Sequence, residues 1–146
     1  MIQGKIRIYI HRILSMIMIF NDEIKNLNLK WITFNEVKKD GKKVPKTRGV
    51  YLFKYHKKIE TITGEKTDII YIGQSSDLRH RIVHNYLDGR GGKTTKRIHR
   101  NLIDRKYLKK IKVSWDEMPH SKKRETELLE SFEEKYHQLP CWNRSG

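Results

Sequence analysis

Apolar and polar residues alternate in three short stretches of the chain, and such alternation is typical of β-strands. In residues 50–55 (VYLFKY) every second residue is aromatic. The turn-forming residues 63–67 (TGEKT) separate this stretch from a second one, residues 69–73. The two together predict a β-hairpin. Residues 111–115 (IKVSW) alternate in the same way and predict a third short strand.

Helical spacing of apolar residues predicts three helices in the same part of the chain. The first has capping residues at 75–77 (SSD) and an apolar face. That face consists of Leu78, Ile82 and Tyr86. Residues 89–95 (GRGGKTT) end it, and a second helix follows from about Thr95. The last helix begins near Ser121 and stops before Pro140. The order ββααβα predicts an α+β fold with a short antiparallel sheet covered by helices.

Residues 1–44 are predicted to form an N-terminal extension that is helical over residues 5–28. A basic, turn-rich stretch at residues 38–49 (KKDGKKVPKTRG) favours a boundary between this extension and a domain over residues 45–146. The apolar run at residues 8–20 is interrupted by a His-Arg pair, and it is far short of the ~20 apolar residues of a spanning helix. No small residues typical of a signal cleavage site follow it. We therefore predict no membrane span.

The net charge of the chain indicates which class of partner the protein binds. The chain carries 32 Lys and Arg against 17 Asp and Glu, which gives a net charge of +15. Such an excess repels itself in the folded state and favours a polyanionic partner. Nucleic acid is the first candidate, and an anionic membrane surface is a distant alternative. The single cysteine, Cys141, excludes an internal disulfide framework, and a reducing, cytoplasmic location is expected.

Five short elements, in order, resemble a known family. They are GVY at 49–51, YIG at 71–73, Arg81, Glu125 at the head of ETELL, and PCWN at 140–143. Together they are similar to the pattern of the GIY-YIG endonucleases. The resemblance implies a metal-dependent nuclease that cuts DNA phosphodiester bonds. It also implies a small three-stranded antiparallel sheet flanked by helices. The resemblance covers about residues 45–143, and the N-terminal extension lies outside it.

The residues themselves fit phosphodiester hydrolysis, which needs an activated water and stabilisation of charge on the phosphate. A hairpin would bring Tyr51 and Tyr71 to one spot, and nearby basic charge is expected to lower the pKa of their phenols. The resemblance implies that one of them is the general base, and which one stays open. The planar guanidinium of Arg81 suits two phosphate oxygens at once.

Glu125 falls on the apolar face of the last helix, where a carboxylate is costly unless it is paired or binds a cation. A single carboxylate with open water positions suits Mg²⁺, and Mn²⁺ is the expected substitute. Glu125 is therefore the predicted metal ligand, with a buried ion pair to an arginine as the alternative. Glu127 and Glu130 project elsewhere on the helix and are fallback positions for the same role.

The resemblance also implies that Asn143 closes the site. Some family members carry a His or Tyr four residues after the arginine, where this chain has Asn85. His84 and Tyr86 flank that position. We predict His84 for the auxiliary role, because its ring can accept a proton.

Basic residues near the predicted site are candidates for contacts with the DNA backbone. They are Arg79, Lys93, Lys96, Arg97 and Arg100. Lys57, Lys58 and Lys66 in or near the hairpin are further candidates that the sequence does not rank. A DNA-binding module on the same fold without catalysis is the alternative function. The oligomeric state is left open, with a homodimer as one alternative.

Overall fold

The computed structural model describes Arg7 and residues 20–143 of the chain. Within the helix predicted over residues 5–28, Arg7 and residues 20–26 are helical, residues 27–28 are not, and the others lie outside the described residues. Among the described residues, no helix is long and apolar enough to cross a bilayer.

The described part of the chain folds as an α+β structure around an antiparallel sheet of four strands. The strands are β1 (Ile32–Thr33), β2 (Gly49–Glu60), β3 (Lys66–Ser75) and β4 (Ile111–Glu117), in the spatial order β1-β4-β2-β3. The prediction of three strands is thus one short. β1 is only two residues long, and it pairs with β4 through Ile32 opposite Val113. So short a strand has no alternation that a sequence pattern can detect.

Helices cover the sheet, and local capping sets where some of them begin. They are α1 (Phe34–Lys39), a 3-10 turn (Gly41–Lys43), a π-helix (His80–Leu87), α2 (Lys93–Leu102) and α3 (Ser121–Tyr136). The Thr33 hydroxyl accepts the Glu36 backbone N–H at 3.1 Å and caps α1. The Asp77 carboxylate accepts the His80 backbone N–H at 3.0 Å, as the predicted capping residues required. α3 ends at His137, whose left-handed φ of 54° stops the helix.

The two faces of the sheet carry two apolar clusters, because side chains along β2 alternate between them. On one face Val50 and Leu52 pack with Leu128 and Phe132 of α3 and with Phe20. On the other face the aromatic residues of β2 and β3 pack against the π-helix and α2. The members of this second cluster include Tyr51, Phe53, Tyr71, Ile82, Tyr86, Ile98 and Leu102.

Residues before position 45 belong to the same core. Phe34, Val37 and Val44 are fully buried in the cluster that contains Tyr51. The predicted boundary between residues 44 and 45 therefore cuts through a packed cluster. The charged, turn-rich composition of residues 38–49 marked a surface segment, but Phe34 and Val37 before it and Val44 within it anchor it to the core.

Candidate active site

Tyr51 and Tyr71 lie on neighbouring strands and on the same face of the sheet. In the β2–β3 register Tyr51 is opposite Gly73, and Phe53 is opposite Tyr71. The two phenols are therefore diagonal neighbours across the strand pair. Their ring centroids are 6.1 Å apart, and their planes differ by 26°. The structure brings these two residues together, as the hairpin predicted.

Gly73 is what allows the Tyr51 ring to lie across β3. A Cβ at position 73 would stand 2.5 Å from the Tyr51 hydroxyl oxygen and 2.7 Å from Cε2. Both distances are well inside the roughly 3.5–4.0 Å of a normal carbon contact. Because Tyr51 is only 1 % exposed, its ring has no free space to move into. Gly73 of the YIG tripeptide therefore leaves the space that the Tyr51 ring of the GVY tripeptide occupies.

A third phenol, Tyr86, joins the pair. Its hydroxyl is hydrogen-bonded to the Tyr51 hydroxyl and lies 3.5 Å from the Tyr71 hydroxyl. Tyr86 is fully buried, with its ring edge-on to both neighbours at centroid distances of 5.9 and 6.2 Å. The three hydroxyl groups therefore form one buried cluster, with that of Tyr86 in contact with both others.

Tyr86, and not His84, occupies the position next to the tyrosines. His84 is 48 % exposed and its Nδ1 lies 3.5 Å from a carboxylate oxygen of Asp88 on the outer side of the helix. Tyr86 lies on the buried face of the helix with Leu78 and Ile82, as the helical spacing predicted. The prediction of His84 depended on the ability of its ring to accept a proton, and this geometry does not support it.

His99 of α2 contacts the backbone of Tyr86. Its Nδ1 is 3.0 Å from the Tyr86 backbone oxygen, a carbonyl at the end of the π-helix. Gly89, with φ +76°, leaves room for the His99 ring, because a Cβ there would lie 2.8 Å from its Cδ2. From the sequence, Tyr86 and His84 were the two candidates for the position beside Asn85, and His84 was predicted. Sequence reasoning missed His99, which carried no signal.

Arg81 lies against all three phenols. Its guanidinium interacts with Tyr51, Tyr71 and Tyr86, and it is hydrogen-bonded to the Tyr86 side chain. Its Nε is buried without a hydrogen-bond partner. Burial alone would lower the pKa of the guanidinium, but the three phenols raise it above its ordinary value, so the charge is permanent. A buried N–H without a partner is rare in folded proteins, and it marks a donor that a bound anion would satisfy.

The pKa values of the Tyr51 and Tyr71 phenols are raised, whereas lowered values were expected from the sequence. Burial raises the pKa of Tyr51 well above 10, the neighbouring Tyr86 and Tyr71 raise it further, and Arg81 lowers it by less. Burial also raises the pKa of Tyr71, with Tyr86 and Glu125 adding to the shift. The expectation of lowered values is wrong because desolvation outweighs one guanidinium. Both phenols are protonated at neutral pH.

Glu125 reaches the same cluster from α3. Burial raises the pKa of its carboxyl, while a hydrogen bond from the Gln74 backbone N–H and the charge of Arg81 lower it by less. The ion pairs of the described residues include none between Glu125 and Arg81. The alternative of a buried ion pair is thus not realised as a direct contact. A half-buried carboxylate remains beside the tyrosines.

The other two glutamates lie away from the cluster. Glu127 pairs with Arg124 at 3.1 Å, which pairs in turn with Glu23 at 3.1 Å, and Glu130 is exposed. No group of three or more His, Cys, Asp or Glu side chains that could hold a metal is present among the described residues. Glu125 alone still fits Mg²⁺, which is commonly bound through one or two carboxylates, waters and substrate phosphates. The fallback positions are not supported by the geometry.

Asn143 is hydrogen-bonded to the edge strand β3 and not to the cluster of tyrosine hydroxyl groups. Its Oδ1 accepts the Ile72 N–H at 3.0 Å, and its Nδ2 donates to the Ile72 carbonyl at 2.9 Å. The Trp142 N–H donates to the Ile70 carbonyl at 2.8 Å. These bonds pair the outer edge of β3 next to Tyr71. Asn143 therefore positions a strand of the site and has both amide atoms engaged in doing so.

The predicted backbone-contact residues divide into two groups. Arg79 donates from Nε to the Val44 carbonyl at 2.7 Å and from a terminal nitrogen to the Lys42 carbonyl at 3.3 Å, so it anchors the loop before β2. The others lie on α2, beside a cavity of about 760 Å³. They are Lys93, Lys96, Arg97 and Arg100, of which Arg97 donates to the Trp142 carbonyl at 2.6 Å. Their contact with nucleic acid stays a prediction.

Comparison with known proteins does not extend this description. No family model, no curated protein and no solved structure matches the chain. A functional assignment therefore depends on the residues of the site.

Proposed function

We propose that this protein is a metal-dependent DNA endonuclease of the GIY-YIG type. The observation that supports the proposal most is the convergence of Tyr51, Tyr71, Arg81 and Glu125. They come from β2, β3, the π-helix and α3, and each influences the ionisation of at least one of the others. Residues chosen from the sequence for one reaction lie together in the fold.

Arg81 would bind the scissile phosphate. Its Nε is already buried and unpaired, so a phosphate oxygen would satisfy a donor that the protein leaves without a partner. A guanidinium can hold two phosphate oxygens at once and stabilise the charge that develops on them in the transition state. The interaction with Tyr86 keeps this group beside the phenols.

Tyr71 would be the phenol that contacts the attacking water. It is 8 % exposed against 1 % for Tyr51, and Glu125 acts on Tyr71 as well. Because its pKa is raised, the hydroxyl starts protonated, so it would take up the proton of the attacking water only as it passes its own proton to an oxygen of the bound phosphate, which leaves with that proton. The Tyr86 hydroxyl, 3.5 Å away, donates to the Tyr71 hydroxyl and orients it. Tyr51 anchors Tyr86 from the far side.

Glu125 would hold the metal. One acceptor position of the carboxylate is used by the Gln74 N–H, and the remaining lone pairs are open to a cation. A bound Mg²⁺ would supply positive charge to the phosphate and to the leaving oxygen. One such site cuts one strand, so the expected product is a nick.

A DNA-binding module without catalysis is the second candidate, and the raised phenol pKa values favour it. A phenol that resists ionisation is a weak base on its own. The two candidates predict the same binding of DNA, and they differ only in whether the backbone is cut.

Nicking of supercoiled plasmid separates the two. The wild-type protein is expected to nick in Mg²⁺ and not in EDTA, and Glu125→Gln is expected to lose nicking in both. Glu130→Gln, an exposed position on the same helix, is the matched control and should nick like the wild type. Binding of the plasmid without nicking under every condition would favour the module. Equal nicking by Glu125→Gln would contradict the assignment of the metal ligand.

A further inference from the structure

A basic pocket lies on the face of the sheet opposite the tyrosines. It has a volume of about 430 Å³, and the side chains around it include five lysines. They are Lys25, Lys54, Lys58, Lys66 and Lys135, and we call their site the lysine pocket. Its apolar floor includes Phe20, Ile69 and Tyr136, which belong to the cluster under α3 and not to the cluster that contains Tyr51.

The charge of this pocket is largely uncompensated. The five lysines come from the helical residues 20–26, from β2, β3 and α3, and Asp68 is the one acid among the described lining residues. The described ion pairs use none of the five. Lysines brought together from four separate elements repel one another, so the arrangement destabilises the protein unless an anion fills it.

An irregularity in the pairing of β2 lies beside the lysine pocket. Pairing with β3 is interrupted after Lys54, which faces Ile69, and resumes at Ile59, which faces Thr67. Four residues of β2 therefore stand against a single residue of β3. Irregularities of this kind re-aim side chains and recur beside functional sites. Here the interruption lies between Lys54 and Lys58, both of which line the pocket.

An aromatic side chain adds a second kind of contact. Trp31 lines the pocket and is half-buried, and the Lys54 ammonium lies 4.5 Å from its ring centroid. Proteins that bind single strands combine a positively charged groove with aromatic rings on which bases stack. The pocket offers both features side by side.

The chemistry favours a strand of nucleic acid over a free nucleotide or a membrane. The described lining contains no glycine and no arginine, the residues by which phosphate-binding loops and forks hold a terminal phosphate. Lys54 and Lys58 are at most about 13 Å apart along β2 at roughly 3.3 Å per strand residue, so their charges are spread along the strand and not gathered on a single phosphate. A concave site with its ammonium groups around a cavity does not match a flat bilayer surface.

We propose that the lysine pocket binds a second segment of nucleic-acid backbone, on the opposite side of the sheet from the candidate active site. The protein would then hold two segments at once, one on each face. This inference shares the nucleic-acid partner with the proposed function, but it does not require cleavage.

The test compares two triple variants that lower the net charge equally, from +15 to +12. The pocket variant is Lys25→Gln, Lys58→Gln and Lys66→Gln, all exposed positions. The control is Lys38→Gln, Lys39→Gln and Lys109→Gln, which are also exposed and do not line the pocket. Binding of a single-stranded oligothymidine of eight nucleotides is measured by calorimetry in EDTA over a range of salt concentrations.

Two oligonucleotides per chain are expected for the wild type and the control at physiological salt, and one for the pocket variant. At low salt, where the pocket variant binds a second oligonucleotide weakly, the slope of log affinity against log salt for that second site should be about 2 smaller than in the wild type, since each lost contact to a single strand removes ~0.7. Quenching of tryptophan emission by the oligonucleotide should drop in Trp31→Phe, which leaves the lysines in place. One oligonucleotide per chain in the wild type, or equal losses in the two triple variants, would overturn the proposal.

Two further arms identify the ligand. If ATP or inorganic phosphate displaces the oligonucleotide as well as a second oligonucleotide does, the ligand of the pocket is a free phosphate ester and not a nucleic-acid strand. Sedimentation with phosphatidylserine vesicles that depends on the three pocket lysines would overturn it in favour of a membrane. Plasmid nicking in Mg²⁺ is scored separately, so failure of the wild type to nick would overturn the proposed function and leave the stoichiometry result intact.

Discussion

Gly73→Ala is the most direct perturbation of the tyrosine cluster. The added methyl group would stand 2.5 Å from the Tyr51 hydroxyl oxygen, an overlap of about 1 Å with the normal contact distance. Tyr51 cannot swing away, because Phe53, Tyr71 and Tyr86 surround its ring at centroid distances of 5.7, 6.1 and 5.9 Å. Either the ring leaves its place or β2 and β3 separate locally.

The size of the effect follows from the packing. Extra carbon in a filled core destabilises by about 1–3 kcal/mol, and the upper end applies here because the neighbours are aromatic rings and strand backbone. A loss of about 3 kcal/mol lowers Tm by roughly 6–12 °C in a domain of this size. It leaves the protein folded at 25 °C, given a typical stability of about 5–15 kcal/mol. Misplacement of a reacting group by about 1 Å is expected to slow cleavage by about 100-fold.

Gly92→Ala is the matched control. A Cβ at Gly92 meets nothing within 4 Å, and the backbone there has φ −80°. Urea denaturation followed by tryptophan fluorescence measures the stability of both variants, and plasmid nicking at 20 °C measures cleavage while both are folded. Wild-type stability of Gly73→Ala would refute the packing argument. Reduced stability with wild-type nicking would refute the role of Tyr51 and Tyr86 in positioning Tyr71 for the reaction.

Three further changes test the remaining residues. Arg81→Lys keeps the charge and loses the planar fork, so nicking should fall at least about tenfold while DNA binding persists in a gel-shift assay. Tyr86→Phe should lower the free energy of unfolding by about 1–3 kcal/mol, because the buried Tyr51 hydroxyl loses its partner. It should also slow nicking, whereas His84→Ala should change neither quantity. Burial raises the pKa of Glu125 above its ordinary 4.5, so the native state takes up its proton first and stability falls as pH rises through that window. Urea titrations across this pH range should show a flatter profile for Glu125→Gln, and an unchanged slope would contradict the burial of the carboxylate.

Much of the fold and site could be predicted because local patterns carried the signal. The alternation of residues 50–55 set the face on which Tyr51 lies, and the hairpin fixed its neighbour across the strand pair. Helical spacing placed Glu125 on the inward side of α3. These predictions needed only the period of each element and the order of the elements.

Other features depend on contacts that no local pattern encodes. Helical spacing put Tyr86 on the buried face, but its hydrogen bond to Tyr51 is a tertiary contact that nothing in residues 80–87 (HRIVHNYL) indicates. The direction of the phenol pKa shifts depends on burial, whereas a charge count suggested the opposite sign. The packing of Phe34 and Val37 against the site is a tertiary contact across a basic loop. The composition of the sequence predicted the loop but not the burial of Phe34 and Val37 next to it.

The covered edge of β3 restricts how two copies of this chain could associate. Edge strands are the usual template for joining sheets between molecules. Here the outward groups of Ile70, Ile72 and Gln74 are already bound by Trp142, by the Asn143 amide and by Glu125. A dimer that continued the sheet through this edge would have to displace the glutamate proposed to hold the metal. Self-association that keeps the protein active must therefore avoid the β3 edge, and strand exchange there would be self-inhibiting.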